Sequence, residues 1–276
     1  MSLVLAIVIP VFNPGSELAD ALSSICADPN SSVVILVDDG SVPAVQVGAL
    51  SSGINLKLIR LDRNRGVAGA LNAGVNEALR MGAKYIARFD GDDLCVPDRF
   101  IRQLEIMESR EELSLLGSRV FYISGDGGRT IGESPKLTPR SARRMLYIDN
   151  PIPHPTWLVR ADVFRRYGLY AEDIDLVEDY QFLRRVLETE VFDIVADPLV
   201  YYRVHDRSVS RRRRCRQLLN LLMVQLKTFR FFNVWAYAGV IRTSAYVVAC
   251  PVALFAAMAI KLIRQRRDGE AEGHAA

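Results

Sequence analysis

A chain of 276 residues, half of them hydrophobic, can bury a sizeable core; this excludes global disorder and fits one large domain with an appendage. The net charge of +3 is modest but unevenly spread, because Asp206 is the only acid between Tyr201 and Arg267. Four scattered cysteines (Cys26, Cys95, Cys215 and Cys250), with no CxxC pair and no tight cluster with His, predict reduced thiols in a cytosolic setting. No basic region precedes the first apolar run, so no signal peptide is expected.

Leu3 to Ile9 is a continuous apolar run of strand length, closed by Pro10 and suited to a buried parallel strand. Val11-Phe12-Asn13-Pro14-Gly15 follows as a loop. Ser16 is placed to cap a helix with Leu18, Ala21, Leu22 and Ile25 on one face. Val33 to Val37 predicts a second buried strand, ending in Asp38-Asp39-Gly40-Ser41. A third strand is expected over Leu56 to Leu61, then a turn at Asp62-Arg63-Asn64-Arg65-Gly66 and a helix from Val67 to Arg80. Lys84 to Phe89 is a fourth strand, feeding the acidic turn Asp90-Gly91-Asp92-Asp93. Beyond it come a helix from Pro97, a strand from Leu113 to Ile123, and a rigid extended segment from Pro151 to Pro155. A short strand at Trp157 to Val159, helices at Asp162 to Tyr167 and from Glu178 through Leu187, and late strands at Val191 to Val195 and Leu199 to Val204 complete this part. Strand–helix alternation at this spacing predicts an α/β fold with a parallel sheet and right-handed crossovers.

Ligands of such sheets bind at the carboxyl ends of the strands. Four informative loops fall there in succession: Pro10 to Asn13, Asp38 to Ser41, Asn64 to Gly66 and Asp90 to Asp93. They point to one shared cleft. Three carboxylates crowded into the last loop repel one another, and a cation with a taste for oxygen, Mg²⁺ or Mn²⁺, would neutralise them. The competing reading is a solvated acidic turn that starts a helix, with Asp93 as the cap. A carboxylate in Asp38-Asp39-Gly40-Ser41 could accept from a base N–H or a ribose hydroxyl; the bland alternative is an ordinary Asp-Gly turn. Glu178-Asp179 opens a helix, where the dipole lowers carboxylate pKa values, so an exposed Asp179 would be ionised and weakly basic.

The segments Val8-Ile9-Pro10-Val11-Phe12-Asn13, Val37-Asp38-Asp39-Gly40-Ser41, Asn64-Arg65-Gly66 through Gly74, and Phe89-Asp90-Gly91-Asp92-Asp93 together resemble family 2 glycosyltransferases of the GT-A fold. His154-Pro155-Thr156, Glu178-Asp179, and Tyr202-Arg203-Val204-His205 with Ser208 and Ser210 extend the resemblance over roughly residues 3 to 210. It implies a Rossmann-like, mostly parallel sheet flanked by helices, and inverting transfer of a sugar from a nucleotide donor. It further implies that Pro10, Val11, Asn13, Asp38, Asp39, Asn64, Gly66, Asn72, Asp90 and Gly91 bind the nucleotide-sugar. A divalent metal (Mn²⁺ or Mg²⁺) would be held by Asp92, Asp90 and His205, and Asp179 would be the general base. His154, between prolines, either meets substrate or orders its loop. Processive relatives carry Gln-x-x-Arg-Trp; here Gln181 and Arg184 are followed by Arg185, which argues for one sugar per encounter.

The tail changes character. Arg211 to Arg214 and Arg216 precede an apolar and aromatic stretch with Phe229, Phe231, Phe232, Trp235 and Tyr237. Thr243 to Ile260 carries no charge and would be about 27 Å long as a helix, near the span of a bilayer. The expected organisation is a GT-A domain over residues 1–210, a basic, amphipathic and hydrophobic helical region over 211–264 that associates with a membrane surface, and a disordered tail over 265–276. The expected partners are a nucleotide-sugar donor, a saccharide or lipid-linked acceptor, and an anionic membrane at its cytoplasmic face. No nucleic-acid motif accompanies the basic run. The competing readings are a tail helix packed on the domain, a membrane-anchored assembly subunit with a decayed site, and a sugar nucleotidyltransferase. Against the last, the loop from Pro10 to Ser16 has no Lys or Arg to hold a triphosphate.

Overall fold

The computed structural model describes residues 3–48, 53–125, 130–186, 189–204 and 213–250. The apolar runs form the centre of a nine-stranded sheet. Strand β1 (Leu5–Val11) lies parallel to β2 (Ser32–Asp38) on one side and to β4 (Tyr85–Arg88) on the other, and β3 (Leu56–Arg60) is parallel to β2. Successive side chains of these strands go to opposite faces, as the two-residue period requires. Ala6, Val8, Val33, Ile35 and Val37 pack on one side against helix α2 (Gly66–Arg80) through Ala70, Leu71, Val75 and Ala78. Leu5, Ile7, Ile9, Val34 and Leu36 pack on the other against α1 (Glu17–Ser23) through Leu18, Ala21 and Leu22.

The second half of the chain adds β5 (Leu94–Cys95), α3 (Arg99–Ser109), β6 (Leu113–Ser124), β7 (Thr130–Glu133), α4 (Pro139–Met145), β8 (Leu158–Arg160), α5 (Ala161–Tyr167), α6 (Glu178–Val186) and β9 (Val191–Val204). The strand order is β3-β2-β1-β4-β8-β6-β9-β5, with β7 on β6. Strand β8 runs antiparallel to β4 and β6, and β5 antiparallel to β9, whereas β6 and β9 are parallel. The sheet is therefore parallel in its first half and mixed in its second, within the expected α/β class.

Local differences from the expected elements have physical causes. Leu94 and Cys95 form a short strand because Tyr201 and Val200 offer them an open edge. The two late strands are one irregular strand, and the Arg119 guanidinium bonds the Ala196 carbonyl where the register slips. Thr138 and Ser141 form a reciprocal cap for α4. His154–Thr156 closes the proline segment as a 3₁₀ turn instead of remaining extended. Ser16 leads into α1 without a side-chain cap bond.

Helix α7 (Arg214–Lys227) and a helix over residues 234–250 form a C-terminal hairpin. Cys215 and Cys250 are joined by a disulfide, so the expectation of four reduced thiols fails for this pair; 35 residues apart in sequence, they meet because the second helix doubles back along the first. Cys26 and Cys95 are free. Among the described residues no helix is long and apolar enough to cross a membrane. His205, Ser208, Ser210, Arg211, Arg212 and residues 251–276 lie outside the described residues.

Candidate active site

Because β3, β2, β1 and β4 are parallel neighbours, their carboxyl ends place all four informative loops side by side. Direct bonds brace them. The Asp39 N–H donates to the Val11 carbonyl at 2.8 Å, and the Asn13 N–H to the Ser41 hydroxyl at 2.8 Å. The Asn13 side chain accepts from the Val42 N–H at 2.9 Å, with its own backbone at φ +46°. Asp38 is fully buried and accepts from the N–H groups of Ser41 (2.8 Å) and Val45 (3.2 Å). Burial pushes its pKa up, but these bonds and Arg60 outweigh that and hold it below the usual value. Asp39 accepts from the N–H groups of Arg65 (2.7 Å) and Gly66 (2.9 Å), capping the start of α2. Gly40, at φ +76°, could not carry a side chain: a Cβ would lie 2.7 Å from the Arg63 backbone.

These contacts place the candidate donor residues more narrowly than the sequence does. Asp38 and Asp39 both spend their oxygens on shaping the loops. Asn72 is buried and engaged elsewhere: its amide bonds both the N–H and the carbonyl of Tyr170, and also Glu172. Pro10, Val11, Asn64 and Gly66 stand at the strand ends, with Asn64 and Gly66 exposed. Gly91 lets the acidic turn press against β1, since a Cβ there would lie 2.7 Å from Val11.

At that turn Asp90, Asp92 and Asp93 each present a carboxylate oxygen within 4.8 Å of the others. Asp93 is buried, and no helix begins there; the N-cap of α3 is Asp98. Its Oδ1 accepts from the Arg203 N–H at 2.8 Å, while its Oδ2 is buried without a hydrogen-bond partner. Burial, then the neighbouring Asp90 and Asp92, push its pKa well up. Asp90 is also raised, by burial first, although Arg88 opposes the shift. An orphaned carboxylate oxygen beside two further carboxylates is a donor set that fits a hard divalent cation. His205, the remaining candidate ligand, lies outside the described residues.

Two arginines hold this turn: Arg88, which no sequence motif marks, and Arg203, which lies in the Tyr202-Arg203-Val204-His205 segment, where the sequence assigns it no role. Arg88, nine-tenths buried at the end of β4, forms an ion pair with Asp90. Arg203 holds the turn by its backbone N–H and, through its side chain, by the Asp92 carbonyl at 2.7 Å. The available signal for Arg88 was a cation inside an otherwise apolar strand.

Asp179 stands at the start of α6. Its Oδ2 accepts from the Asn150 amide at 2.6 Å and its Oδ1 from the Tyr180 N–H at 2.6 Å. Its pKa is raised, with burial the leading cause, so the low value expected for an exposed helix start does not apply. Glu178 is pushed up to about 7 by burial and by Asp179. Arg88 acts on both of these carboxylates and on Asp90, which ties the acidic turn and the helix start into one electrostatic unit. His154 is buried against Tyr170, 3.0 Å from its hydroxyl, and burial keeps the imidazole neutral; it orders the loop.

Residues 6–168 match the family described as glycosyl transferase family 2. The amylovoran biosynthesis glycosyltransferase AmsE of Erwinia amylovora is 27% identical over 221 residues, covering 79% of this chain and 80% of its own. Among solved structures, S. aureus TarS 1–349 in complex with UDP-GlcNAc superposes with a TM-score of 0.63 at 16% identity, over 82% of this chain and 66% of that one. The mannosyltransferase PcManGT from Pyrobaculum calidifontis, in complex with GDP-Man and Mn²⁺, gives 0.61 at 16% identity over 94% and 76%. The two structural likenesses show the fold, a GT-A arrangement with a mixed sheet. The family match runs from β1 through the acidic turn to the end of α5, and the chain belongs to glycosyl transferase family 2.

Proposed function

We propose that the protein moves a single sugar, with inversion, from a nucleotide-sugar to a saccharide or lipid-linked acceptor in the assembly of a cell-surface polysaccharide. The observation that carries this reading is the cluster of Asp90, Asp92 and Asp93 carboxylates at the carboxyl end of β4, beside the parallel strand ends and held by Arg88 and Arg203. The acceptor hydroxyl gives its proton to Asp179 as its oxygen attacks the anomeric carbon; the bond to the diphosphate oxygen breaks, and the electron pair leaves with the diphosphate. A raised pKa makes Asp179 a better base than a solvated aspartate. Asp90, Asp92 and Asp93 would hold Mn²⁺ or Mg²⁺, with His205 as a further candidate. When bound, that ion supplies the positive charge a departing diphosphate needs. The relative named for amylovoran biosynthesis, and solved relatives holding UDP-GlcNAc or GDP-Man with Mn²⁺, support donor, ion and pathway class.

The reading assigns residues 1–210 to catalysis and 211–264 to contact with the cytoplasmic face of a membrane. Phe231, Phe232 and Val234 stand exposed at the hairpin turn, and Arg213, Arg214 and Arg216 lie at the base of α7, a pattern suited to an anionic lipid surface. The test is calorimetry of the full chain with Mn²⁺ and a panel of UDP-, GDP- and dTDP-sugars. Binding of at least one is expected; no binding across the panel overturns the reading. The anomeric configuration of the product by NMR decides inversion.

A further inference from the structure

Helix α6, which carries Asp179, has nine residues, and a helix that short keeps its place only through tertiary packing. What packs on it is the C-terminal hairpin, and Arg184 makes the join. The sequence pairs this residue with Gln181, and the structure turns both toward internal partners. Gln181 donates to Asp173 at 3.0 Å. Arg184, nine-tenths buried, reaches the end of α7: its Nε donates to the Thr228 hydroxyl at 3.1 Å and its Nη2 to the Thr228 carbonyl at 2.9 Å. That carbonyl is one of the acceptors a helix leaves unpaired at its C-terminal end, where the dipole also favours a cation. The same guanidinium lies 4.3 Å from the centre of the Tyr147 ring. One side chain thus joins α6, α7 and the segment that follows α4.

That segment delivers the partner of the base. The Asn150 side-chain carbonyl accepts from the Ile152 N–H at 2.9 Å, which aims the amide N–H at Asp179 Oδ2, 2.6 Å away. The hairpin fixes the same segment at two further points. Buried Gln225 donates to the Ile148 carbonyl at 2.9 Å, and helix 234–250 comes so close that a Cβ on Gly239 would lie 2.1 Å from the Tyr147 carbonyl. The chain entering α6 is held as well. Gln217 donates to the Leu176 carbonyl at 3.2 Å and Asn220 to the Asp175 carbonyl at 2.7 Å. Leu176 has φ +68°, a conformation that a non-glycine residue keeps only when its surroundings enforce it. Val177 and Tyr180 share an apolar cluster with Leu221 and Val224 of α7. Arg184 and the hairpin lie beyond residues 6–168, which carry the family match.

We infer that Arg184 is a positioning residue: by fastening the end of α7 to α6 and covering Tyr147, it holds the Asn150 amide against Asp179 and so keeps the base aimed for proton transfer. The inference rests on the transferase reading above. The test uses the full chain and two readouts. The first is release of nucleoside diphosphate from UDP-, GDP- and dTDP-sugars with Mn²⁺, water taking the place of the acceptor, on whichever donor the wild type turns over fastest. Arg184→Met should lower kcat by about tenfold or more and leave the donor KM unchanged, because the base is displaced and the donor loops are not. Asn150→Ala should lower kcat in the same way, and the double variant should be no slower than the slower single one, since both remove the same contact. The second readout needs no turnover. It is the NMR signal of the Asn150 side-chain amide, assigned by its disappearance in Asn150→Ala; in Arg184→Met it should move toward the position of a free amide, at temperatures well below the melt. Arg184→Lys keeps the charge but loses the fork, and should fall between the wild type and Arg184→Met in both readouts; it serves as the probe where the methionine variant does not fold. An Asn150 signal that stays in place, or kcat losses that multiply in the double variant, overturns the inference and leaves Arg184 a role in stability alone. A wild type that turns over none of the donors counts against the transferase reading instead, and the Asn150 signal then decides the positioning role.

Discussion

The loops at the parallel strand ends and the region around Asp179 are built by different means. On the donor side, β3, β2, β1 and β4 deliver their loops in parallel, and backbone groups lock them: Asp39 to Val11, Asn13 to Ser41, Arg65 and Gly66 to Asp39. Around Asp179 the contacts come from separate segments, joined by side-chain bonds such as Asn150 to Asp179 and Asn220 to Asp175. The first arrangement is fixed by strand register, where a slip of one residue would reverse every side chain. The second is fixed by side chains, which can be exchanged without rebuilding the sheet. Substitutions in the strand-end loops should therefore register as lost stability, and those around Asp179 as altered chemistry.

The largest effect expected under this contrast is catalytic. Asp179→Asn removes the base but keeps an acceptor for the Tyr180 N–H, so transfer should fall by about 10²–10⁴ while donor binding holds. Single-turnover rates beside nucleotide titrations check it, and undiminished transfer would place the base elsewhere. Next comes Arg88, where the two sides meet. Arg88→Met leaves the half-buried Asp90 without its cation and should cost about 1–3 kcal/mol in denaturant melts, with Arg88→Lys recovering part of it. A small loss would mean that water reaches the turn and that the sides are not coupled. Gly40→Ala, deep in the donor loops, combines a left-handed backbone with a 2.7 Å approach to Arg63 and should cost about 1–3 kcal/mol.

The same contrast explains what could be read in advance. Strands with buried faces write their position as unbroken apolar runs, so β1, β2 and the loops at their ends were legible, as was the crowded turn from Asp90 to Asp93. What those loop residues do was less so. Asp38 and Asp39 look the same whether they face a ligand or brace a loop, and only the observed N–H partners show the bracing. Asp93 resembled a cap because its distance to α3 could not be read without β5, a strand of two residues. Arg203 reaches Asp93 across 110 residues, and Cys215 finds Cys250 across 35. Neither pairing leaves a periodic trace in the sequence.

The smallest effect tests how enclosed the start of α6 is. Glu178 is pushed up to about 7 from 4.5, by burial and then by Asp179. The folded protein thus holds this proton more tightly than the unfolded chain, so the unfolded state binds fewer protons between those two values. Stability from this group is then complete below pH 4.5, falls as pH rises, and is lost above about pH 7. Glu178→Gln removes the ionisation and with it the fall. The variant should match the wild type near pH 4 and exceed it at pH 8 by about 1 kcal/mol, a figure reduced for the partial solvent access of this side chain. Melts across that range decide the matter. Parallel curves for the two proteins would mean that Glu178 is solvated in the folded state and that the start of α6 is open to water.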